Sequence, residues 1–185
     1  MDLFFILAHS LASDSGVISG FLHPILGFEH LLAMVAVGLL SAQIGGRAIW
    51  TVPLAFVVTM VIGGIAGFVL SAEMPFLQQG IALSIVLLGG IMVLQQDKRS
   101  LPEIIALVIV ALFAVFHGYA HGAEVPLESS LIFFVAYVFG FFIATVGLHV
   151  LGALIGYIAM RSDRGTMILR ASGVIIAAIG IYFLI

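Results

Sequence analysis

Long apolar stretches separated by short polar turns make up most of the chain. They cover residues 22–44, 48–70, 76–96, 101–122, 128–160 and 165–185. A helix of about 20 apolar residues crosses the hydrocarbon core of a bilayer, so each stretch is long enough for one crossing. The short connections make consecutive helices antiparallel neighbours. The pattern predicts an all-α, polytopic membrane protein, with a six-transmembrane-helix bundle over residues 22–185 and an outer N-terminal segment, residues 1–21.

The beginning of the first helix has two further signals. Ser13-Asp14-Ser15-Gly16 is typical of a helix N-cap and would begin the helix early, with Pro24 inside it. A proline within a helix removes a backbone hydrogen bond, so we expect a kink or a break near Gly20. The apolar stretch Leu3–Ala8 is too short to cross a bilayer and has no basic region before it. Residues 1–21 are therefore expected to be a signal remnant or a short outer helix.

Among the connections between the predicted helices, only alternate ones contain lysine or arginine, and the remaining basic residue, Arg170, lies one turn beyond the fifth connection. The first, third and fifth connections contain Arg47, Lys98, Arg99, Arg161 and Arg164. The second and fourth connections contain glutamates without any lysine or arginine, namely Glu73, Glu124 and Glu128. Cytoplasmic loops of membrane proteins carry the excess of basic residues. The asymmetry predicts that both termini lie outside and that the Lys/Arg-bearing loops face the cytoplasm, in a bacterial-type inner (plasma) membrane.

The overall composition excludes several classes of function. Of the 185 residues, 63% are hydrophobic and 8% are charged, which rules out a water-soluble globular protein. The net charge is −3, and the six lysines and arginines form no basic run, so nucleic acid is not an expected partner. The sequence has no phosphate-binding loop for ATP. What the protein does must therefore take place inside the bilayer.

Histidines and glutamates concentrate in two of the predicted helices. His23 and His30 are seven residues apart, so they share one face of the first helix, two turns apart. His117 and His121, four residues apart, share a face near the end of the fourth helix. The predicted orientation places both pairs in the outer half of the membrane, where ionisable groups mark functional sites. The candidate metal ligands at this depth are His23, Glu29, His30, His117, His121 and Glu124.

The ligand types narrow the choice of metal. Imidazole together with carboxylate suits nickel, cobalt, copper, zinc or iron rather than magnesium or calcium. The chain has no cysteine, which argues against a site for Cu(I).

His149 lies about twenty residues into the fifth helix and is expected in the inner half of the membrane. It is a candidate inner relay for an ion, and the alternative is that it is a packing residue.

Two local sequences resemble the signatures of a known family. The pattern His23-x5-Glu29-His30 opens the first span, and Phe116-His117-Gly118-x-Ala120-His121-Gly122-x-Glu124 closes the fourth. In this order they resemble the HupE/UreJ family of hydrogenase- and urease-associated metal permeases, which usually has Asp where Glu29 stands. The resemblance implies secondary transport of Ni²⁺, or in some members Co²⁺, into the cytoplasm, with the six candidate ligands as the matching motif positions. Cu²⁺ and Zn²⁺ are the alternative substrates.

Two other functions use similar residues. An intramembrane metal-dependent hydrolase would need three histidine ligands and a carboxylate base, which this chain also has. A haem-based electron carrier would hold its cofactor between paired histidines on two helices. The expected partners of a permease are the metal ion as substrate, the lipid bilayer, and an outer metal-delivery protein or further copies of the chain.

Overall fold

The computed structural model describes residues 15–70, 72, 74–95, 102–125 and 130–185. Within these ranges the chain forms helices and no strand, so the all-α prediction is confirmed. The helices are α1 (Gly16–Leu26), α2 (Phe28–Ile44), α3 (Ala48–Leu70), α4 (Leu77–Leu94), α5 (Glu103–Ala123), α6 (Leu131–Ala159) and α7 (Gly165–Leu184). His9, Glu73, Lys98, Arg99 and Glu128 lie outside the described residues.

Five of the described helices, α3 to α7, are each long and apolar enough to cross a membrane. The sixth crossing would be supplied by α1 and α2 together, which meet at an angle of 77°. The chain is therefore a polytopic helical membrane protein, as predicted. The longest helix, α6, runs through Gly140, Gly147 and Gly152 as one element.

The first span differs from its prediction. It begins at Gly16, as the N-cap signal indicated, so α1 includes residues that the sequence assigned to the outer segment. The predicted break near Gly20 is wrong, because α1 continues through Gly20 and ends at Leu26. Gly20 instead packs directly on α6, where a Cβ atom would overlap the carbonyl of Tyr137.

The break falls at Gly27, three residues after Pro24. Gly27 has extended backbone angles, with φ −77° and ψ 98°. Its N–H donates to the carbonyl of His23 at 2.9 Å, which closes α1. Its own carbonyl accepts from the N–H of Leu31 at 2.9 Å, which opens α2. One residue therefore supplies the last hydrogen bond of one helix and the first of the next, and the chain turns between them.

Glycines bring the other helices into direct backbone contact. Between α3 and α5, a Cβ atom on Gly118 would overlap the carbonyl of Met60, and one on Gly122 would overlap the carbonyl of Gly64. The same close approach joins α2 to α6 and α4 to α7. Small residues at helix interfaces are the usual means of tight packing in membranes. This packing fixes the rotation of α5, and with it the direction of its histidines.

The two ends of the bundle differ in charge within the described residues. Arg47 lies in the turn between α2 and α3, and Arg161 and Arg164 lie in the turn between α6 and α7, so all three are at one end. We call this the Arg161 end. Glu124 follows α5 at the opposite end, which we call the Glu124 end.

Candidate metal site

Three histidines from three helices meet near the Glu124 end. His23 is in the last turn of α1, His30 is in the first turn of α2, and His121 is in the last turn of α5. One ring nitrogen from each lies within 4.8 Å of the other two. Among the described residues, this is the one group of three or more potential metal-ligating side chains.

The spacing of these nitrogens fits a transition metal after a small adjustment. Metal–imidazole bonds are about 2.0–2.1 Å long, so two nitrogens on one tetrahedral ion are about 3.4 Å apart. The rings of His23 and His121 already lie edge to face with centroids 4.5 Å apart, and those of His30 and His121 are tilted by 49° with centroids 4.2 Å apart. Closing the remaining gap requires movements of about 1 Å or less per ring, which side-chain rotation can supply.

Glu124 orients one of these histidines. Its Oε2 lies 2.9 Å from Nε2 of His23. A carboxylate can only accept, so Nε2–H of His23 donates, and the lone pair of the neutral ring is then on Nδ1. Carboxylate–histidine pairs of this kind fix the orientation of metal-binding imidazoles. Glu124 therefore supports the cluster through His23.

His117 lies behind the cluster. Its Nδ1 is 2.9 Å from Nδ1 of His30, and its Nε2 is 2.9 Å from the hydroxyl of Ser84 on α4. The side chain is fully buried, at 0% exposure. Both nitrogens of His117 thus contact other side chains, whereas His23, His30 and His121 each bring one nitrogen to the cluster.

Glu29 is also outside the three-histidine group. It is in the first turn of α2 and is half-buried. A carboxylate at this position is stabilised by the positive end of the helix dipole, whatever else it does.

The sequence predicted six residues at one site, and the structure brings three of them together. Of the others, Glu124 contacts His23 and His117 contacts His30.

The ring of His121 makes no hydrogen bond among the described residues. Both of its nitrogens are buried without a hydrogen-bond partner in the described part of the chain, and the same holds for the hydroxyl of Tyr137. Both side chains line a cavity of about 160 Å³ between α3, α5 and α6. Buried polar atoms without partners are costly, so these atoms are candidates to contact a ligand. Sequence reasoning missed Tyr137 because a tyrosine in an apolar helix carries no charge signal.

A second group of unpartnered polar atoms lies further along α6. Thr145 and His149 are one turn apart, are 0% and 2% exposed, and have no side-chain hydrogen-bond partner among the described residues. His149 is twelve residues after Tyr137, which is about 18 Å along the helix. The ring of Phe56 on α3 contacts both His117 and His149, with centroid distances of 5.6 Å and 5.0 Å.

The fold and the site define a class of protein. It is a polytopic helical membrane protein with a buried cluster of histidines, held at a helix break and next to a carboxylate. The chain belongs to the HupE/UreJ protein family, whose model matches residues 3–183. The resemblance stated from the two motifs is therefore confirmed.

A curated relative also matches nearly the full chain. The chain is 38% identical over 179 residues to Protein HupE of Rhizobium leguminosarum bv. viciae, covering 96% of this chain and 89% of that protein. No solved structure gives a significant match.

Proposed function

We propose that the protein is a secondary transporter that moves a divalent transition metal, Ni²⁺ or Co²⁺ in preference, into the cytoplasm. The main support is the histidine cluster. Inside an apolar bundle, one nitrogen from each of His23, His30 and His121 lies within 4.8 Å of the other two. The family is associated with nickel and cobalt uptake for hydrogenase and urease. The metal is the substrate, and the protein itself catalyses no reaction.

The chemistry of the cluster supports a transition metal. Three imidazoles offer nitrogen ligands of intermediate softness, which nickel, cobalt, copper and zinc accept and which magnesium and calcium do not favour. The affinity order among these metals places Cu²⁺ above Ni²⁺ and Co²⁺ at most nitrogen sites. Cu²⁺ and Zn²⁺ are therefore the competitors that an experiment must include.

The polar groups on α6 supply the next step of the proposed path. An ion that leaves the cluster toward the Arg161 end would meet Phe56 and then the unpartnered atoms of Thr145 and His149. A buried hydroxyl and a buried imidazole can replace part of the hydration shell of an ion. His149 therefore takes the role of inner relay in this proposal.

The direction of transport follows from the charge asymmetry. We place the Glu124 end outside and the Arg161 end in the cytoplasm of the plasma membrane, because basic loops stay cytoplasmic. A divalent cation moving inward is then driven by the membrane potential, which contributes about 2.3 kcal/mol per charge per 100 mV.

Reconstituted vesicles test the proposal directly. Purified protein in liposomes should take up Ni²⁺ or Co²⁺ faster than protein-free liposomes, and an inside-negative potential should accelerate uptake. His121→Ala should lose most of this uptake, because it removes the unpartnered ligand. Thr59→Ala is a suitable control, since Thr59 bonds only to carbonyls of its own helix in the described structure. Uptake equal to that of protein-free liposomes would contradict the proposal, and so would a His121→Ala variant that folds and transports normally.

A further inference from the structure

A row of hydrogen bonds connects the metal cluster to α4. The hydroxyl of Ser84 donates to the carbonyl of Ile81 at 2.6 Å and lies 2.9 Å from Nε2 of His117. Nδ1 of His117 in turn lies 2.9 Å from Nδ1 of His30. Ser84 and His117 are 2% and 0% exposed, so water does not compete for these bonds.

The hydroxyl of Ser84 has two possible acceptors, the carbonyl of Ile81 and Nε2 of His117. The carbonyl of Ile81 is the nearer, at 2.6 Å against 2.9 Å, and can only accept, so the single hydroxyl proton of Ser84 is assigned to Ile81. The oxygen of Ser84 must then accept from Nε2–H of His117, which leaves Nδ1 of the neutral His117 ring as an acceptor. Nδ1–H of His30 therefore donates to His117. The one remaining nitrogen of His30, Nε2, carries a lone pair.

We propose that Ser84 is a positioning residue that, through His117, holds His30 in the tautomer whose Nε2 lone pair is available to the metal. The proposal rests on the proposed function and specifies how one ligand of that site is prepared. It assigns His117 to orienting a ligand, in the way that carboxylates orient metal-binding histidines elsewhere. Glu124 performs the equivalent task for His23.

Loss of the hydroxyl has a defined consequence. In Ser84→Ala, Nε2–H of His117 would be buried without an acceptor, which is unfavourable. The proton is better placed on Nδ1 of His117, from which it donates to His30. His30 then accepts at Nδ1 and carries its own proton on Nε2. Binding of a metal at Nε2 requires both rings to return to the wild-type tautomers, which puts a proton back on Nε2 of His117 without an acceptor, so affinity falls.

The chain contains a matched control. Ser41 on α2 is also a fully buried serine whose hydroxyl donates to the carbonyl three residues earlier, that of Gly38, at 2.7 Å. No described contact joins it to a histidine. Ser41→Ala removes the same type of local bond and leaves the hydrogen bonds of Ser84, His117 and His30 intact. Ser84→Thr keeps a hydroxyl at position 84.

Binding of Ni²⁺ to the full-length protein in lipid nanodiscs measures the effect. We expect Ser84→Ala to weaken binding about 10-fold or more, as loss of a partner of a metal-binding histidine typically does. Ser41→Ala should bind like the wild type, and Ser84→Thr should recover most of the affinity. Unchanged binding in Ser84→Ala would overturn the proposal.

The tautomer itself can be observed without metal. In protein labelled with ¹⁵N in its imidazoles, NMR should show His30 protonated on Nδ1 and bare on Nε2, with the two reversed in Ser84→Ala. Signals of His30 are identified by their loss in His30→Gln. An identical His30 spectrum in both proteins would overturn the proposal, even if affinity had fallen. Because this measurement uses no metal, it stands apart from a failure of the wild type to bind or transport nickel, which would refute the proposed function instead.

Discussion

Replacing Gly27 by alanine tests the geometry of the cluster through one added methyl group. The backbone angles of Gly27 are allowed for alanine, so the substitution introduces no backbone strain. The new Cβ, however, would lie 2.9 Å from Cδ2 of the His30 ring and 3.3 Å from the carbonyl oxygen of His23. Carbon atoms in contact are about 3.5–4.0 Å apart. The ring of His30 must therefore move by about 0.6–1.1 Å.

A displacement of this size is large compared with the tolerance of a metal site. Metal–imidazole distances vary within about 0.2 Å. The added methyl group is fixed to the backbone and restricts the rotation by which the His30 ring adjusts to the metal, so the ring binds less well together with His23 and His121. We expect the dissociation constant for Ni²⁺ to rise about 10- to 100-fold, which corresponds to about 1.4–2.8 kcal/mol. The loss should not exceed that of His30→Ala, which removes the ligand altogether.

Calorimetric titration of Ni²⁺ into nanodisc-embedded protein gives the affinities of the wild type, of Gly27→Ala and of His30→Ala. The control is Gly147→Ala in α6, where a new Cβ meets nothing within 4 Å. This control should bind like the wild type and be at least as stable, since alanine favours a helix over glycine. If Gly27→Ala kept wild-type affinity while His30→Ala lost it, the contact between Gly27 and His30 would not constrain the site, and the reasoning would be refuted.

Three further outcomes are expected. The double variant of His30→Ala and His121→Ala should lose much less affinity than the sum of the single losses, because both rings bind one ion; strict additivity would indicate separate sites. His149→Ala should slow uptake in liposomes and leave equilibrium binding nearly intact, whereas unchanged uptake with lower thermal stability would make it a packing residue. Binding of Ni²⁺ should weaken on acidification once the ligands become protonated, since only neutral imidazole binds metal, and affinity that stays constant into acid would contradict this.

The sequence was a good guide to the helices because their ends are marked by local chemistry. The predicted stretch 48–70 coincides with α3, which begins just after the Gly45-Gly46-Arg47 turn. The break at Gly27 was not predictable in the same way. The residues directly before and after it, Leu26 and Phe28, are apolar, and a proline signals a break without fixing its position. Gly20, where the break was expected, instead packs on α6 within a continuous helix, a contact that depends on tertiary structure.

Residue spacing indicated which side chains share a helix face, but not which of them meet. His117 and His121 are equivalent by spacing, yet they are about 6 Å apart along α5. That rise is enough for His121 to join the cluster and for His117 to contact Ser84. Ser84 and Tyr137 were missed for a related reason. A hydroxyl in an apolar helix is common, and its importance depends on the neighbour that tertiary packing provides.

The break in the first span is what allows His23 and His30 to serve one ion. In a continuous helix, two residues seven positions apart are separated by about 10.5 Å along the axis. Two nitrogens on the same metal are at most about 4.2 Å apart, so a straight helix could place only one of the two at the ion. The 77° turn at Gly27 brings their ligand atoms to within 4.8 Å of each other. The motif therefore requires its proline and glycine as much as its histidines, because they supply the turn that lets two histidines seven residues apart reach the same ion.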